Sequence, residues 1–145
     1  MKHLIIAMLV VKALSSQELP EGSGKKTVER LCGNCHGIAT IVGLRRTKAA
    51  WESTVDDMVT RGLTASDSDL DTAVAYLAEY LGKVNVNTAT AEEIQRIADL
   101  SAADATSIVE YRKRNGPYKD FVELEKVPGL DSKRMQERKD RIAFK

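Results

Sequence analysis

The chain has 145 residues, which is enough for one domain or two very small ones. Hydrophobic residues make up 43% of it and aromatic residues only 5%, which argues against a large aromatic core. The net charge is +1; residues 17–83 carry 8 Lys and Arg against 10 Asp and Glu, and residues 84–145 carry 12 against 11. Charge therefore indicates neither a strongly basic nucleic-acid surface nor an acidic tail.

Residues 1–16 have the pattern of a secretory signal peptide. A basic start precedes an apolar run from Leu4 to Leu14, in which Lys12 is the only charge. This run is too short for a bilayer span, which takes about 20 residues. Small residues follow, so we expect cleavage after Ser15 or Ser16, with an uncleaved anchor as the alternative because Lys12 interrupts the run. The mature protein is then periplasmic or extracellular and has no transmembrane helix.

Cys32-Gly33-Asn34-Cys35-His36 form a C-x-x-C-H sequence, which is typical of c-type haem attachment. Two thiols one helical turn apart add to the two vinyl groups of one porphyrin, and the imidazole that follows becomes the proximal iron ligand. The alternatives are a zinc site, a redox pair or a structural disulfide. Zinc usually takes four N/S ligands, and a redox pair is expected in a βαβ context that this sequence lacks. The motif therefore predicts one covalently attached haem c.

Residues 17–83 surround this motif with the signals of about three helices. Thr47 is a favourable N-cap, and Gly62 stands where a helix that begins there would end. Ser66, with Asp69 three residues later, marks a further helix start. The elements expected are a short helix from Thr27 to Leu31 with Val28 and Leu31 towards the porphyrin, an apolar loop from Ile38 to Leu44, a helix over 48–61, and a helix from Ser66 to Gly82.

The stretch from Cys32 to Gly82 resembles class I cytochrome c domains. The resemblance is greatest to small bacterial domains in which a W-x-x-x-V-x-x-M-x-x-R-G segment precedes a closing helix that ends in Y-L. The matching residues here are Trp51, Val55, Met58, Arg61, Gly62 and Tyr76-Leu77. The resemblance implies that Met58 is the distal axial ligand of the haem iron.

Met58 has a second interpretation when the residues are considered alone. A Met on an apolar helix face is more often a core residue than a ligand. Of the other three Met residues, however, Met1 and Met8 belong to the leader and Met135 to the second domain, and no His beyond His36 remains after cleavage. Elimination therefore also favours Met58 over an open or otherwise filled site.

Ligation by His36 and Met58 predicts a one-electron carrier that serves redox partner proteins, and not an enzyme. A substrate-converting haem needs an open coordination position with acid–base groups beside it. A five-coordinate haem that acts as a peroxidase or sensor is the alternative.

Two further questions stay open in this domain. Trp51 is either a porphyrin contact or part of the core. Arg45, Arg46, Lys48 and Arg61 are either partners of the haem propionates or a solvated basic face.

Residues 84–145 follow a short linker predicted over 83–87 and contain two pairs of helix signals. The signals are a capping box at Thr90 and Glu93, an N-cap pair at Ser101 and Asp104 with a stop at Asn115-Gly116-Pro117, a second pair at Asp120 and Glu123, and an N-cap at Asp131 for a helix through Arg138. Helix, tight turn and helix, occurring twice, predict an internal repeat of two hairpins.

These residues resemble the helix-hairpin-helix region of the bacterial competence DNA receptor ComEA and its relatives. The matching text is VNVNTATAEEIQRI, followed by IVEYRKRNGPYKDFVELEKVPGL. In that family each hairpin turn is usually G-x-G, whose backbone N–H groups hold a DNA phosphate together with the following helix N-terminus. The resemblance implies that double-stranded DNA is a partner.

The hairpin turns of this chain depart from the family pattern. The first turn, Asp99-Leu100-Ser101, has no glycine, and the second, Gly129-Leu130-Asp131, has one. A carboxylate repels a phosphate where glycine would admit it. DNA contacts are therefore expected mainly from the second hairpin, at Gly129, Leu130, Lys133 and Arg134. The alternative is a protein-docking module, the use that a related fold has in the extrinsic PsbU protein of photosystem II.

The sequence thus predicts an all-α protein with a small cytochrome c-type haem domain at 17–83 and a tandem helix-hairpin-helix domain at 84–145. The second domain is expected to tether the electron carrier either to DNA or to a redox partner.

Overall fold

A computed structural model describes residues 18–145, so the predicted signal peptide at residues 1–16 lies outside the described part of the chain. The elements in chain order are α1 Lys25–Cys32, α2 Ile38–Val42, α3 Lys48–Thr60, α4 Asp67–Tyr80, β1 Val84–Asn85, α5 Ala91–Ala98, α6 Ala102–Asn115, α7 Phe121–Leu124, α8 Ser132–Glu137, a 3₁₀ turn Lys139–Arg141, and β2 Ile142–Ala143. None of the helices over residues 18–145 is long and apolar enough to cross a membrane.

The N-terminal helices are organised around α4, which packs against both α1 and α3. Their shared core consists of Leu19, Val28, Leu31, Ile41, Trp51, Val55, Ala73, Val74, Tyr76, Leu77, Ala78 and Leu81. Gly24, which precedes α1 with φ of +96°, lets the helix start close to α4, because a Cβ there would lie 2.9 Å from the Cβ of Tyr76. The hydroxyl of Tyr76 donates to the carbonyl of Pro20 at 2.5 Å and ties down the entry segment.

The predicted helix starts of this half are confirmed. Thr47 accepts the N–H of Ala50, and Ser66 accepts the N–H of Asp69, as N-cap side chains do. The apolar stretch predicted as a loop is different: it forms the short helix α2, in which Ile41 is buried. The extended Gly37 allows this helix to begin directly after the C-x-x-C-H motif.

The C-terminal half consists of two hairpins, α5 with α6 and α7 with α8, around a separate core. Its fully buried residues include Ile94, Ile108, Leu124 and Met135. The capping box of Thr90 with Glu93 is present, and so are the predicted N-caps at the other three helix starts.

The segment predicted as a linker over 83–87 is instead part of this core. Val84 and Val86 are buried, and the intervening Asn85 is half-buried, which is the alternation of a strand. Val84 pairs with Ile142 and Asn85 with Ala143 in a two-stranded parallel sheet. The all-α prediction is therefore correct for the helices but misses this pairing, because local spacing gives no sign of a partner so far along the chain.

The two halves contact one another where α4 leads into β1. Glu79 at the end of α4 pairs with Arg96 on α5, and Arg45 lies 3.7 Å from the carboxylate of Asp140. These contacts bind the N-terminal helices to the hairpins on both sides of the junction.

Candidate functional site

The N-terminal half contains a cavity of about 520 Å³, a size typical of small-molecule and cofactor sites. It is lined by Leu31, Cys32, Asn34, Cys35, His36, Met58, Arg61, Gly62, Leu63 and Thr64. The structure thus brings Cys32, Cys35, His36 and Met58, which are up to 26 positions apart in the sequence, to one cavity.

The end of α1 positions the two thiols and the imidazole. The carbonyl of Cys32 accepts the N–H of His36 at 2.9 Å and that of Cys35 at 3.3 Å, so the motif closes into a tight turn. Cys32 is half-buried, and this burial raises the pKa of its thiol, whereas Cys35 and His36 are exposed. Neither Cys is in a disulfide, so both sulfurs are free to react.

Met58 is placed by the way α3 ends. Its carbonyl accepts the N–H of Leu63 at 2.9 Å, and the carbonyl of Val59 accepts the N–H of Gly62 at 3.0 Å. This pair of bonds is a Schellman motif, and Gly62 supplies the positive φ, +106°, that it requires. The chain therefore reverses at Gly62, one turn after Met58, and Leu63 and Thr64 join the cavity wall.

One of the four basic residues considered as propionate partners lines the cavity, namely Arg61. Arg45 donates to the carbonyls of Val42 and Leu44, and Lys48 lies 3.5 Å from Glu52. Arg46 lies over the ring of Trp51 at 5.7 Å. Trp51 itself is 2% exposed and is part of the core, and it does not line the cavity.

The residues predicted to contact DNA lie in and after the second hairpin turn. Gly129 has φ of +82°, and a Cβ there would meet nothing within 4 Å, so the turn is open on that side. Leu130 packs partly into the C-terminal core. Lys133 is exposed and forms no ion pair within the described part of the chain. Its ammonium group is therefore available to an outside anion.

Arg134 is already engaged with the first hairpin turn. Its Nη2 donates to the carboxylate of Asp99 at 2.8 Å, and its Nε donates to the Asp99 carbonyl at 3.0 Å. Arg138, one helical turn later, donates to the same carboxylate from Nη2 at 2.7 Å and from Nε at 3.1 Å. Asp99 has φ of +55°, so it occupies the left-handed position that glycine takes in many helix C-terminal turns.

Several arginines stabilise the ionised form of the Asp99 carboxyl group. Partial desolvation raises the pKa of its carboxyl, but the hydrogen bond from Arg138 and the charges of Arg134, Arg138 and Arg141 outweigh this and leave the pKa below its ordinary value. Arg141 donates to the carbonyl of Ile97, close to the end of α5. The repulsion expected between this turn and a phosphate is therefore reduced, because the carboxylate is paired.

The two hairpin turns are also joined through Asp104. This carboxylate is buried and accepts the hydroxyl of Ser101 at 2.7 Å and the N–H of Asp131 at 3.3 Å. The N-terminal ends of α6 and α8 therefore lie side by side.

Arg138 and Arg141 were not predicted as partners of the first turn. Arg134 and Arg138 are four residues apart in the predicted helix through Arg138, which would place them on one face, and this spacing was the available signal. Nothing local to Asp99 indicated that this face would meet it.

Two hairpins with adjoining turns define a helix-hairpin-helix domain, and residues 79–143 match the family model described as "Helix-hairpin-helix motif". The matched range begins after the last residue that lines the cavity. The C-terminal half of the protein is thus a helix-hairpin-helix domain.

Individual relatives are similar over about the same length of chain. An uncharacterized protein of Haemophilus influenzae is 38% identical over 63 residues, 43% of this chain and 56% of that protein. ComE operon protein 1 of Bacillus subtilis is 37% identical over 62 residues, 43% of this chain and 30% of that protein. S1 RNA-binding domain-containing protein 1 of Homo sapiens is 34% identical over 74 residues, 51% of this chain and 7% of that protein. The chain spans about half the length of the first of these relatives and less of the others. No solved structure matches it.

Proposed function

We propose that this protein is an exported monohaem c-type cytochrome that carries one electron at a time and binds duplex DNA through its helix-hairpin-helix domain. The observation that carries the proposal is the convergence of two thiols, one imidazole and one thioether on a single cavity. These four groups are the kinds that hold a haem c, because two thiols would anchor the porphyrin and an imidazole and a thioether would bind the iron.

The residues present fit this cofactor. Cys32 and Cys35 would hold the porphyrin through thioether bonds, and His36 and Met58 would be the ligands of the iron. Leu31 and Leu63 supply an apolar wall, which would keep water from the iron. A bound haem supplies reversible exchange between ferrous and ferric iron.

Arg61 has a distinct role in this arrangement. It is the cation among the cavity-lining residues, and it lies at the wall formed by the end of α3. Its guanidinium would bind the carboxylate of a haem propionate, because planar donors suit a carboxylate.

Export is part of the same proposal. The leader at residues 1–16 is a predicted signal peptide, and c-type haems are attached outside the cytoplasmic membrane. A periplasmic or extracellular location follows.

Replacement of Met58 tests the electron-carrier assignment. Met58→Ala should abolish the weak near-infrared band that a Met–iron bond gives to the ferric protein. It should also lower the reduction potential, because Met ligation favours ferrous iron. Val59→Ala, which changes an exposed neighbour, is the control and should leave both unchanged. If Met58→Ala changes neither, the sixth position is vacant or held by another residue, and a peroxidase or sensor becomes the better assignment.

Binding of DNA is supported by the helix-hairpin-helix match and by the similarity to ComE operon protein 1. The exposed Lys133 beside the open turn at Gly129 is suited to a phosphate oxygen. Contacts of this kind read the DNA backbone, so we expect binding that is independent of base sequence.

A gel shift of the holoprotein with duplex DNA across salt concentrations tests this part. The logarithm of the binding constant should fall linearly with the logarithm of the salt concentration, with a slope of about −0.9 per phosphate contacted. Lys133→Glu should weaken binding, whereas Lys26→Glu, an equal charge change on α1, should not. If the holoprotein has no affinity for DNA at low salt, the domain is better assigned to docking a redox partner protein.

A further inference from the structure

We propose that the first hairpin turn carries a phosphate-binding site formed by Arg134, Arg138 and Arg141, and that Asp99 occupies this site in the free protein. The ligand is a phosphodiester of the duplex DNA backbone. This inference rests on the DNA binding proposed above, and it adds a site on the first hairpin to the one expected on the second.

The geometry around Asp99 is that of an anion site. Two guanidinium groups donate to one oxygen of the Asp99 carboxylate, Arg138 through Nε and Nη2 and Arg134 through Nη2, at distances from 2.7 to 3.1 Å. Arg134 Nε donates to the backbone carbonyl of Asp99. Guanidinium groups that bind a carboxylate in this way also match the geometry of a phosphate. The cluster therefore contains donors of the type required by a DNA backbone.

The charge of the cluster leaves room for a second anion. Three arginines surround one carboxylate, so the group retains positive charge after Asp99 is counted. The side chains are accessible, since 38% of Arg134, 29% of Arg138 and 53% of Asp99 is exposed. Each guanidinium also keeps its Nη1 group, which makes no bond to Asp99.

The position of the arginine cluster at the hairpin turn is consistent with a contact to the DNA backbone. Asp99 takes the left-handed turn position, where glycine would let a phosphate approach the main chain. The side chain of Asp99 prevents this approach of a phosphate to the main chain, but its carboxylate binds arginine side chains at the same turn. Because Arg134 lies on α8 and bonds to the turn before α6, the cluster also lies between the two hairpins.

Two substitutions separate the proposed site from a purely structural ion pair. Asp99→Asn removes the competing charge and keeps a residue that tolerates positive φ. It should tighten DNA binding several-fold and steepen the salt slope, because the arginines gain access to phosphate. Arg138→Gln should weaken binding and make the slope shallower by about 0.9, the value of one phosphate contact.

Glu110→Gln is the matched control. Glu110 forms an exposed ion pair with Lys113 at 2.9 Å, so the substitution also removes one negative charge and releases one cation, but on the body of α6 away from the turn. It should change affinity much less than Asp99→Asn. Thermal denaturation of each variant establishes that the fold is retained before binding is compared.

The outcomes decide between the two proposals. Opposite changes for Asp99→Asn and Arg138→Gln support the site. Suppose that the unmodified protein binds DNA. If Arg138→Gln then leaves the affinity and the salt slope unchanged, or Asp99→Asn does not bind DNA more tightly, the proposed arginine site is overturned while the proposed DNA binding is retained. If neither the unmodified protein nor Asp99→Asn binds DNA at low salt, both proposals are overturned.

Discussion

Asn87 and Tyr118 bond to one another twice. The side-chain Nδ2 of Asn87 donates to the carbonyl of Tyr118 at 2.8 Å, and its Oδ1 accepts the N–H of Tyr118 at 2.7 Å. Nδ2 also donates to the carbonyl of Phe144 at 3.0 Å. This one side chain therefore joins the start of the helix-hairpin-helix domain to the segment between its hairpins and to the C-terminal strand region.

Replacement of Asn87 should destabilise the C-terminal domain. Asn87→Ala removes three hydrogen bonds and leaves their partly buried backbone partners unsatisfied, so we expect the free energy of unfolding to fall by about 2–3 kcal/mol. Urea denaturation followed by far-ultraviolet circular dichroism measures this. Asn115→Ala, which removes one exposed side-chain bond to the carbonyl of Tyr111, is the control and should cost much less.

The distance along the chain between contacting residues explains how far the sequence predicts this fold. Helix starts such as Thr90 and Ser101 were predicted because an N-cap and the residue it serves are only three positions apart. The pairing of β1 with β2 was missed because its partners are 58 positions apart in the sequence. The hydrogen bonds from Arg112 to the carbonyls of Val86 and Ala89 are likewise long-range, and the sequence did not predict them.

In the candidate site, too, the local motifs were predicted and the contacts between distant segments were not. Cys32, Cys35 and His36 are given by one short motif, and the helix signals at Thr47 and Gly62 predict that Met58 lies in the last turn of α3. That this turn meets α1 at a cavity is a result of tertiary packing. The engagement of Asp99 by Arg134 and Arg138 is another such result, since it joins different hairpins.

Gly62 should be needed for its backbone conformation. Its φ is +106° and a Cβ there would meet nothing within 4 Å, so Gly62→Ala adds strain without a clash. We expect a loss of about 1–2 kcal/mol in the free energy of unfolding of the N-terminal domain, measured by chemical denaturation. Gly43, with φ of −75°, provides the control, and Gly43→Ala should be close to neutral. Equal effects of the two substitutions would contradict the role assigned to the α3 turn.

Two buried tyrosines should make the protein sensitive to alkali. Burial raises the pKa of Tyr76 to about 12, with the charges of nearby residues adding to it, and burial also raises that of Tyr118 to about 12. In the unfolded chain both phenols ionise near pH 10. The folded state therefore holds protons that the unfolded state loses, and its stability is fully present below pH 10 and falls as the pH rises towards 12.

Urea denaturation at a series of pH values tests the effect of these tyrosines. The free energy of unfolding should decline between pH 10 and 12, and Tyr118→Phe should make the decline less steep because one ionising group is lost. An ultraviolet titration of the folded protein should show the corresponding late tyrosinate signal. If Tyr118→Phe leaves the slope of stability against pH unaltered, the burial of this phenol is not the cause.

Covalent haem attachment is the central claim, and intact mass with haem absorbance after full denaturation tests it most directly. Thioether bonds at Cys32 and Cys35 would survive unfolding, so the denatured chain should carry the mass of one haem and retain its absorbance. Cys32→Ala with Cys35→Ala should release the haem on denaturation. A wild-type polypeptide that is free of haem after denaturation, when isolated from cells that attach haem to other c-type cytochromes, would contradict the account.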